Sequence, residues 1–126
     1  MNQYSTPSIP KILYVEDEII VALDVEDGLR NELKMDVCMV HTLSAARHAI
    51  ARETFDYALL DLNLGNGERS IELGLELARK GTTVVFASGY NRNEISEIAD
   101  FPLVEKPFRL SDIARQFQDS ARPIGR

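Results

Sequence analysis

The sequence predicts a doubly wound α/β fold, with a five-stranded parallel sheet and five helices on its two faces. Short β-type runs and helical stretches alternate along the 126 residues and form five successive strand–helix units. This alternation is typical of right-handed parallel crossovers within one sheet. The strand-like runs carry few charges, as expected for strands that helices cover on both faces. A chain of this length is expected to form one domain with a substantial core.

The predicted elements alternate strictly between strand and helix. The strands are expected at residues 11–15, 35–40, 57–60, 83–87 and 103–105. The helices are expected at residues 19–33, 43–51, 71–79, 93–98 and 110–121. Residues 1–9 are expected to form a flexible leader and residues 122–126 a flexible tail, so the folded domain is predicted to span 10–121.

In the first half of the chain, two short β-type runs are each followed by a helical pattern. The second helix is rich in alanine, and Thr42 or Ser44 suits its N-cap position. The first helix has acidic residues on one predicted face and apolar residues near the other. The apolar face predicted for the first helix contains Ile19, Leu23, Leu29 and Leu33.

In the second half, the third strand is continuously apolar, which favours a strand buried on both faces. The helix after it ends before Gly81, a residue type that commonly stops helices. The helix predicted at 93–98 is short and polar. The last helix has Leu110, Ile113 and Phe117 at the i, i+3, i+7 spacing of an amphipathic helix.

Composition and charge exclude several classes of protein. Hydrophobic residues make up 44% of the chain and charged residues 27%, which is ordinary for a soluble globular protein. No apolar run is long enough for a membrane span. The net charge of −6 and the lack of a basic cluster argue against nucleic-acid binding. The single cysteine, Cys38, rules out an internal disulfide and, without an apolar secretory segment, favours the cytoplasm.

Charged and polar side chains follow four of the five predicted strands. In an open parallel sheet, ligands bind beyond the carboxyl ends of the strands. The residues expected at that edge are Glu16-Asp17-Glu18, Asp61, Ser88-Gly89-Tyr90 and Glu105-Lys106-Pro107. Because carboxylates packed together repel one another, a divalent cation such as Mg²⁺ would relieve the cost of this arrangement. The sequence therefore predicts an acidic pocket that suits a metal ion and also holds a hydroxyl and an ammonium group.

Four motifs stand at these strand ends: Val15-Glu-Asp-Glu18, Leu59-Leu-Asp-Leu62, Phe86-Ala-Ser-Gly89 and Glu105-Lys-Pro-Phe108. With this order and spacing, the chain resembles the response regulator receiver domains of two-component signalling over nearly its whole length. The resemblance implies a CheY-like, flavodoxin-like sheet with strand order 2-1-3-4-5. It also implies a bacterial signalling phosphoprotein, which catalyses only its own phosphorylation and dephosphorylation and is not an enzyme for an external substrate.

The resemblance implies roles for three acidic residues of the expected pocket and for the asparagine that follows one of them. Asp61 matches the phosphoacceptor, which receives its phosphoryl group from a sensor histidine kinase or a histidine phosphotransfer protein. Mg²⁺ would be held by Asp61 itself and by three further groups. These are the Asp17 carboxylate, the Glu16 carboxylate through water, and the backbone carbonyl of Asn63. A carboxylate can act as a nucleophile on phosphorus, and positive groups neutralise the charge of phosphoryl oxygens.

The remaining implied roles belong to residues that sense the phosphoryl group. Lys106 matches the lysine of the family pattern, and its bond to Pro107 is implied to be cis, which would turn Lys106 into the pocket. Ser88 matches the hydroxyl position and would pull its loop inward on phosphorylation. Tyr90 would act with Ser88 as a switch, because Leu103 stands where many receivers carry an aromatic switch residue. The output is then expected to reach a downstream protein target.

The loop after Asp61 departs from the common receiver pattern. Gly65 stands where many receivers have proline, and Gly65 and Gly67 leave room for a phosphodonor. The run Phe86-Ala-Ser-Gly-Tyr90 resembles the Phe-Ala-Thr-Gly-hydrophobic-Tyr motif of the FAT GUY subgroup of alphaproteobacterial single-domain receivers. Here Ser replaces Thr, and the hydrophobic residue before the tyrosine is missing. Members of that subgroup often work with atypical histidine kinases in general stress signalling.

Several alternatives remain open from the sequence. The chain could be a phosphate sink or relay intermediate without an output of its own, or a pseudo-receiver that binds partners unphosphorylated, although the intact acidic set argues against the latter. A haloacid-dehalogenase-type phosphatase would need a second acid two residues after its nucleophile, where this chain has Asn63. A flavin-binding protein would need a Ser/Thr/Gly-rich loop after the first strand, where this chain has Glu16-Asp-Glu18.

Overall fold

A computed structural model describes residues 9–65, 68–89 and 98–121. Five parallel strands form its main sheet: β1 (Lys11–Val15), β2 (Asp36–Val40), β3 (Tyr57–Asp61), β6 (Thr83–Ser88) and β7 (Leu103–Glu105). They lie in the order β2-β1-β3-β6-β7, which confirms the predicted strand order 2-1-3-4-5. A separate antiparallel hairpin, β4 (Asn63–Leu64) with β5 (Glu68–Arg69), follows β3 and was not predicted.

The described residues contain four helices: α1 (Ile19–Asn31), α2 (Leu43–Arg52), α3 (Ile71–Arg79) and α4 (Leu110–Ala121), the last of which follows β7. All bounds lie within two residues of those predicted. The predicted helix at 93–98 and the predicted leader and tail fall, apart from residues 9 and 98, outside the described residues. Among the helices that are described, none is long and apolar enough to cross a membrane.

The core consists of two layers, one on each face of the sheet. Because side chains alternate along a strand, Leu13 of β1 packs into one layer while Ile12 packs into the other. The layer that contains Leu13 also holds buried residues of α2 and α3, and the other layer holds buried residues of α1 and α4. The strands are therefore covered on both faces, which explains why they carry few charges and why those charges lie at the strand ends.

The apolar face predicted for α1 is wrong at two positions. Ile19 and Leu23 are 50% and 55% exposed, whereas Ala22 and Leu29 are buried. The first turns of α1 carry apolar residues on nearly every side, so periodicity alone did not identify the side that faces the sheet. The result is an exposed apolar stretch at the start of α1, next to the carboxyl edge of the sheet.

One close approach fixes α3 against the sheet. A Cβ atom added at Gly74 would lie 2.3 Å from the Phe86 ring and 3.3 Å from Leu60. Only glycine leaves room for the helix at this distance, so a larger residue would push α3 away from β6. The start of α3 is thereby fixed near the end of β3, where the loop that follows Asp61 returns to the sheet.

Candidate functional site

Asp61 is the last residue of β3, the central strand of the sheet, and it is buried. Its Cα atom pairs with that of Ala87 in β6, and the next amide, from Leu62, donates to the Ala87 carbonyl at 2.8 Å. The Ser70 hydroxyl donates to the backbone carbonyl of Asp61, also at 2.8 Å. The backbone that carries the carboxylate is therefore held from two directions.

Lys106 follows β7 and reaches across the sheet edge to the acids of β1 and β3. Its ammonium group lies 3.0 Å from Asp61 Oδ2 and 2.9 Å from Glu16 Oε1. The side chains of Glu16 and Asp61 are only 1% and 7% exposed, and that of Lys106 is 19% exposed. The Lys106 amide donates to the Ser88 carbonyl at 2.8 Å, and the Lys106–Pro107 peptide bond is cis.

The pKa values of this pair follow from burial and from unequal charge. Burial raises the pKa of Asp61 to about 7; the hydrogen bond from Lys106 opposes that rise and the Glu16 charge adds to it. Burial alone would lower the pKa of Lys106, but its hydrogen bonds to Glu16 and Asp61 outweigh burial and raise it. The cationic lysine therefore faces more negative charge than it balances.

Asp17 completes an acidic cluster with Glu16 and Asp61. One carboxylate oxygen from each residue lies within 4.8 Å of the other two. An all-oxygen set of carboxylates with unbalanced negative charge fits a hard divalent cation such as Mg²⁺ or Ca²⁺. The cluster could therefore hold a metal ion. The Asn63 amide, two residues beyond Asp61, lies 3.3 Å from Asp61 Oδ1 and keeps the start of the hairpin next to this cluster.

Of the two residues predicted to form the switch, Ser88 is described by the structure and Tyr90 is not. Ser88 is buried at the end of β6, one residue beyond the Ala87 that pairs with Asp61, so the structure places it at the same sheet edge. Tyr90 lies outside the described residues. The switch assignment therefore stays a prediction, as do the roles of the other site residues.

Sequence reasoning missed three groups that support the site. The Gly65 amide donates to Asp17 Oδ2 at 3.0 Å, and Ser70 holds the Asp61 carbonyl as described above. His41, directly after β2, has its Nδ1 atom 2.9 Å from the Glu16 carbonyl oxygen. The dipeptide Asn66-Gly67 is a strong hairpin signal and could have predicted the turn after Asp61. No comparable signal marks Ser70 or His41, because both act through the backbone of distant residues.

Comparisons with known proteins identify the fold through solved structures. No family model and no curated protein matches the chain. SdrG from Sphingomonas melonis Fr1 is 31% identical, with 93% of this chain and 100% of that chain covered and a TM-score of 0.79. A CheY-like response regulator receiver domain protein from Methanospirillum hungatei JF-1 is 23% identical, with 89% and 93% covered and a TM-score of 0.78.

A third solved structure is a response regulator protein from Burkholderia pseudomallei, described with a phosphorylated aspartic acid, calcium ion and citrate. It is 21% identical, with 86% of this chain and 66% of that chain covered and a TM-score of 0.76. The shared architecture is that of the CheY-like flavodoxin fold. Given its identity to SdrG over the full length of that protein, the chain belongs to the response regulator receiver domains. Membership of the FAT GUY subgroup stays a prediction.

Proposed function

We propose that this receiver domain accepts a phosphoryl group on Asp61 from a sensor histidine kinase or a histidine phosphotransfer protein. The observation that carries the proposal is the position of the Asp61 carboxylate, 3.0 Å from the Lys106 ammonium at the centre of an acidic sheet edge. The Burkholderia pseudomallei neighbour, whose structure contains a phosphorylated aspartic acid, supports the same chemistry. The domain then acts as a signalling acceptor in the cytoplasm, without an external substrate or a nucleic-acid partner.

In the proposed transfer, an oxygen of the ionised Asp61 carboxylate attacks the phosphorus atom of a phosphohistidine. The new O–P bond forms as the P–N bond breaks, and the electron pair of the P–N bond stays on the imidazole nitrogen, which is the leaving group. The Lys106 ammonium offsets negative charge on the attacking carboxylate and on the transferred group. With a pKa of about 7, Asp61 is only partly ionised at neutral pH in the metal-free protein. Any cation that favours its ionised form therefore also favours the reactive form.

The metal is proposed to be Mg²⁺, held by Asp17 and Asp61 directly, by Glu16 through water and by the Asn63 carbonyl. Mg²⁺ suits one or two carboxylates together with water and phosphate oxygens, and that donor set matches this cluster. Once bound, the ion would supply positive charge to the phosphoryl oxygens. The calcium ion in the Burkholderia pseudomallei neighbour indicates that a related protein holds a divalent cation.

Output is proposed to run through Ser88 and Tyr90 to a downstream protein target. Ser88 lies at the same edge as Asp61, so its hydroxyl is suited to contact a phosphoryl group there. We expect Tyr90→Ala to leave phosphorylation of Asp61 intact while reducing the phosphorylation-dependent NMR shift changes of residues 98–105. Shift changes equal to those of the wild type would restrict Tyr90 to a packing role. If the shift changes of Tyr90→Ala equal those of the wild type and no downstream protein binds the phosphorylated domain, a phosphate sink or relay would be favoured.

Phosphorylation itself is tested by intact-mass analysis after incubation with acetyl phosphate and MgCl₂. We expect the wild type and the exposed-site control Asp36→Asn to gain one phosphoryl group, and Asp61→Asn to gain none. Each variant must first show the wild-type circular dichroism spectrum. A wild type that stays unmodified would favour the pseudo-receiver, and equal modification of Asp61→Asn would place the acceptor elsewhere.

A further inference from the structure

The backbone amide of Gly65 contacts a proposed metal ligand 48 residues away in the sequence. Its N–H donates to Asp17 Oδ2 at an N···O distance of 3.0 Å. Asp17 follows β1, so this bond joins the loop after β3 to the loop after β1. A proline at position 65 could not form it, because proline has no N–H.

The hairpin that carries Gly65 is anchored on both sides. Leu64 is 2% exposed and packs into the core layer on the α2 and α3 face. The strands pair Asn63 with Arg69, and the amide of Ser70 donates to the Leu62 carbonyl at 3.1 Å. The Gly65 amide is therefore presented from a fixed backbone and can hold the Asp17 carboxylate in one orientation.

We propose that the Gly65 amide is the positioning group for Asp17, holding one carboxylate oxygen and leaving the remaining lone pairs for the cation shared with Glu16 and Asp61. This inference rests on the metal binding proposed above. An ionised carboxylate has about four lone-pair sites, so one N–H bond does not occupy it. Hydrogen bonds that orient metal ligands typically change metal affinity by about 10- to 100-fold.

Glycine at position 65 also leaves space beside the Asp17 carboxylate. A test must therefore separate the effect of the Gly65 N–H group from the effect of the absent side chain. A Cβ atom added there would lie 3.1 Å from Asp17 Oδ2, tight enough to shift that carboxylate by a few tenths of an ångström. Gly65→Ala adds this Cβ atom and keeps the N–H group. Gly65→Pro adds a Cβ atom, removes the N–H group and also fixes the backbone φ angle, so the comparison with Gly65→Ala removes the contribution of the Cβ atom, and the amide exchange test below removes that of the proline ring.

The test is a titration with MgCl₂ of wild type, Gly65→Ala, Gly65→Pro and Asp17→Asn, after circular dichroism has confirmed folding. We expect Mg²⁺ affinity to fall about 10-fold or more in Gly65→Pro and less than about threefold in Gly65→Ala. Asp17→Asn should lose more than either. Wild-type affinity in Gly65→Pro, or equal losses in Gly65→Ala and Gly65→Pro, would overturn this inference alone. A wild type that does not bind Mg²⁺ would overturn the metal proposal and this inference together.

Amide exchange gives a second test that needs no proline variant. Asp17→Ala removes the carboxylate that accepts the hydrogen bond from the Gly65 amide. In metal-free buffer, the Gly65 amide should therefore exchange at least about 10-fold more slowly in the wild type than in this variant. The Leu62 amide, which donates to Ala87, is the internal control and should not change. Protection of Gly65 should persist when MgCl₂ is added to the wild type. Faster exchange on adding Mg²⁺ would show that the hydrogen bond competes with the ion, and the inference would be wrong.

Discussion

The two edges of the parallel sheet carry the same residue types in different surroundings. At the amino edge, Lys11 of β1 pairs with Glu53, and their side chains are 39% and 34% exposed. At the carboxyl edge, Lys106 pairs with Glu16 and Asp61, which are almost fully buried. The hydrogen bond that the Lys11 ammonium donates to Glu53 raises the pKa of Lys11, yet that pair is partly exposed to solvent. Of the two pairs compared, it is the one at the carboxyl edge in which burial raises a carboxyl pKa, that of Asp61, to about 7.

This difference shows that desolvation, more than pairing with lysine, shifts the pKa of a carboxyl group. An exposed pair is screened by water and salt, so its loss changes little. Burying a pair has a desolvation cost. Removing one partner therefore leaves the other as an uncompensated buried charge. Perturbed pKa values tend to mark functional sites for the same reason. The comparison can be tested by changing equivalent groups at the two edges.

The largest effect is expected from Lys106→Met compared with Lys11→Met. Removing Lys106 leaves Glu16 and Asp61 facing each other without a cation, so the free energy of unfolding should fall by about 3 kcal/mol at pH 8. Lys11→Met should match the wild type within error. Urea denaturation at constant ionic strength measures both. Equal losses in the two variants would mean that burial does not distinguish the edges.

A smaller effect of opposite sign is expected from Asp61→Asn. A carboxyl group whose pKa rises on folding opposes folding once it is ionised, by about 4 kcal/mol for the full shift. Because a neutral side chain also weakens the hydrogen bond from Lys106, the replacement should stabilise the metal-free protein by about 2 kcal/mol. The exposed Asp36→Asn variant serves as the control and should not change. Added Mg²⁺ should reduce the gain, because cation binding stabilises only the wild-type pocket. A lower melting temperature for Asp61→Asn in metal-free buffer would contradict a crowded acidic pocket.

The gain from Asp61→Asn should also depend on pH. Asp61 has an ordinary pKa of 3.8 when unfolded and a pKa of about 7 when folded. Between these values the folded protein binds more protons than the unfolded chain, so the stability that Asp61 contributes falls as pH rises. The difference between variant and wild type should therefore be small near pH 4 and complete above about pH 8. A difference that does not vary with pH would exclude Asp61 as its source.

Much of the fold followed from the sequence because its signals are local. The continuous apolar run before Asp61 and the stop at Gly81 depend on neighbouring residues alone, and both predicted elements are confirmed. Topology rules then brought Glu16, Asp61 and Lys106 to one edge, where the structure also places them. The assignment of chemistry to these residues came from the family resemblance, because spacing alone allowed solvated charges.

The features that were missed depend on contacts between distant residues or on a choice between faces. The exposure of Ile19 and Leu23 could not be read from a helix that is apolar on several sides. The bonds from Gly65 to Asp17 and from Ser70 to Asp61 each use one backbone atom, the Gly65 N–H as donor and the Asp61 carbonyl as acceptor, and a backbone atom leaves no trace in the choice of residue type. The hairpin that lies between Asp61 and Ser70 could have been predicted from the sequence, because Asn66-Gly67 is a hairpin turn signal.

The position of Lys106 in the chain has a consequence for synthesis. Its ammonium group contacts Asp61 across 45 residues and Glu16 across 90. Because a ribosome makes the N-terminal part first, the acids of β1 and β3 emerge well before the lysine that balances them. Until β7 joins the sheet, bringing those acids together adds repulsion without the compensating cation. The pocket is therefore completed late, and until then a divalent cation held by these acids would relieve the repulsion that Lys106 later offsets.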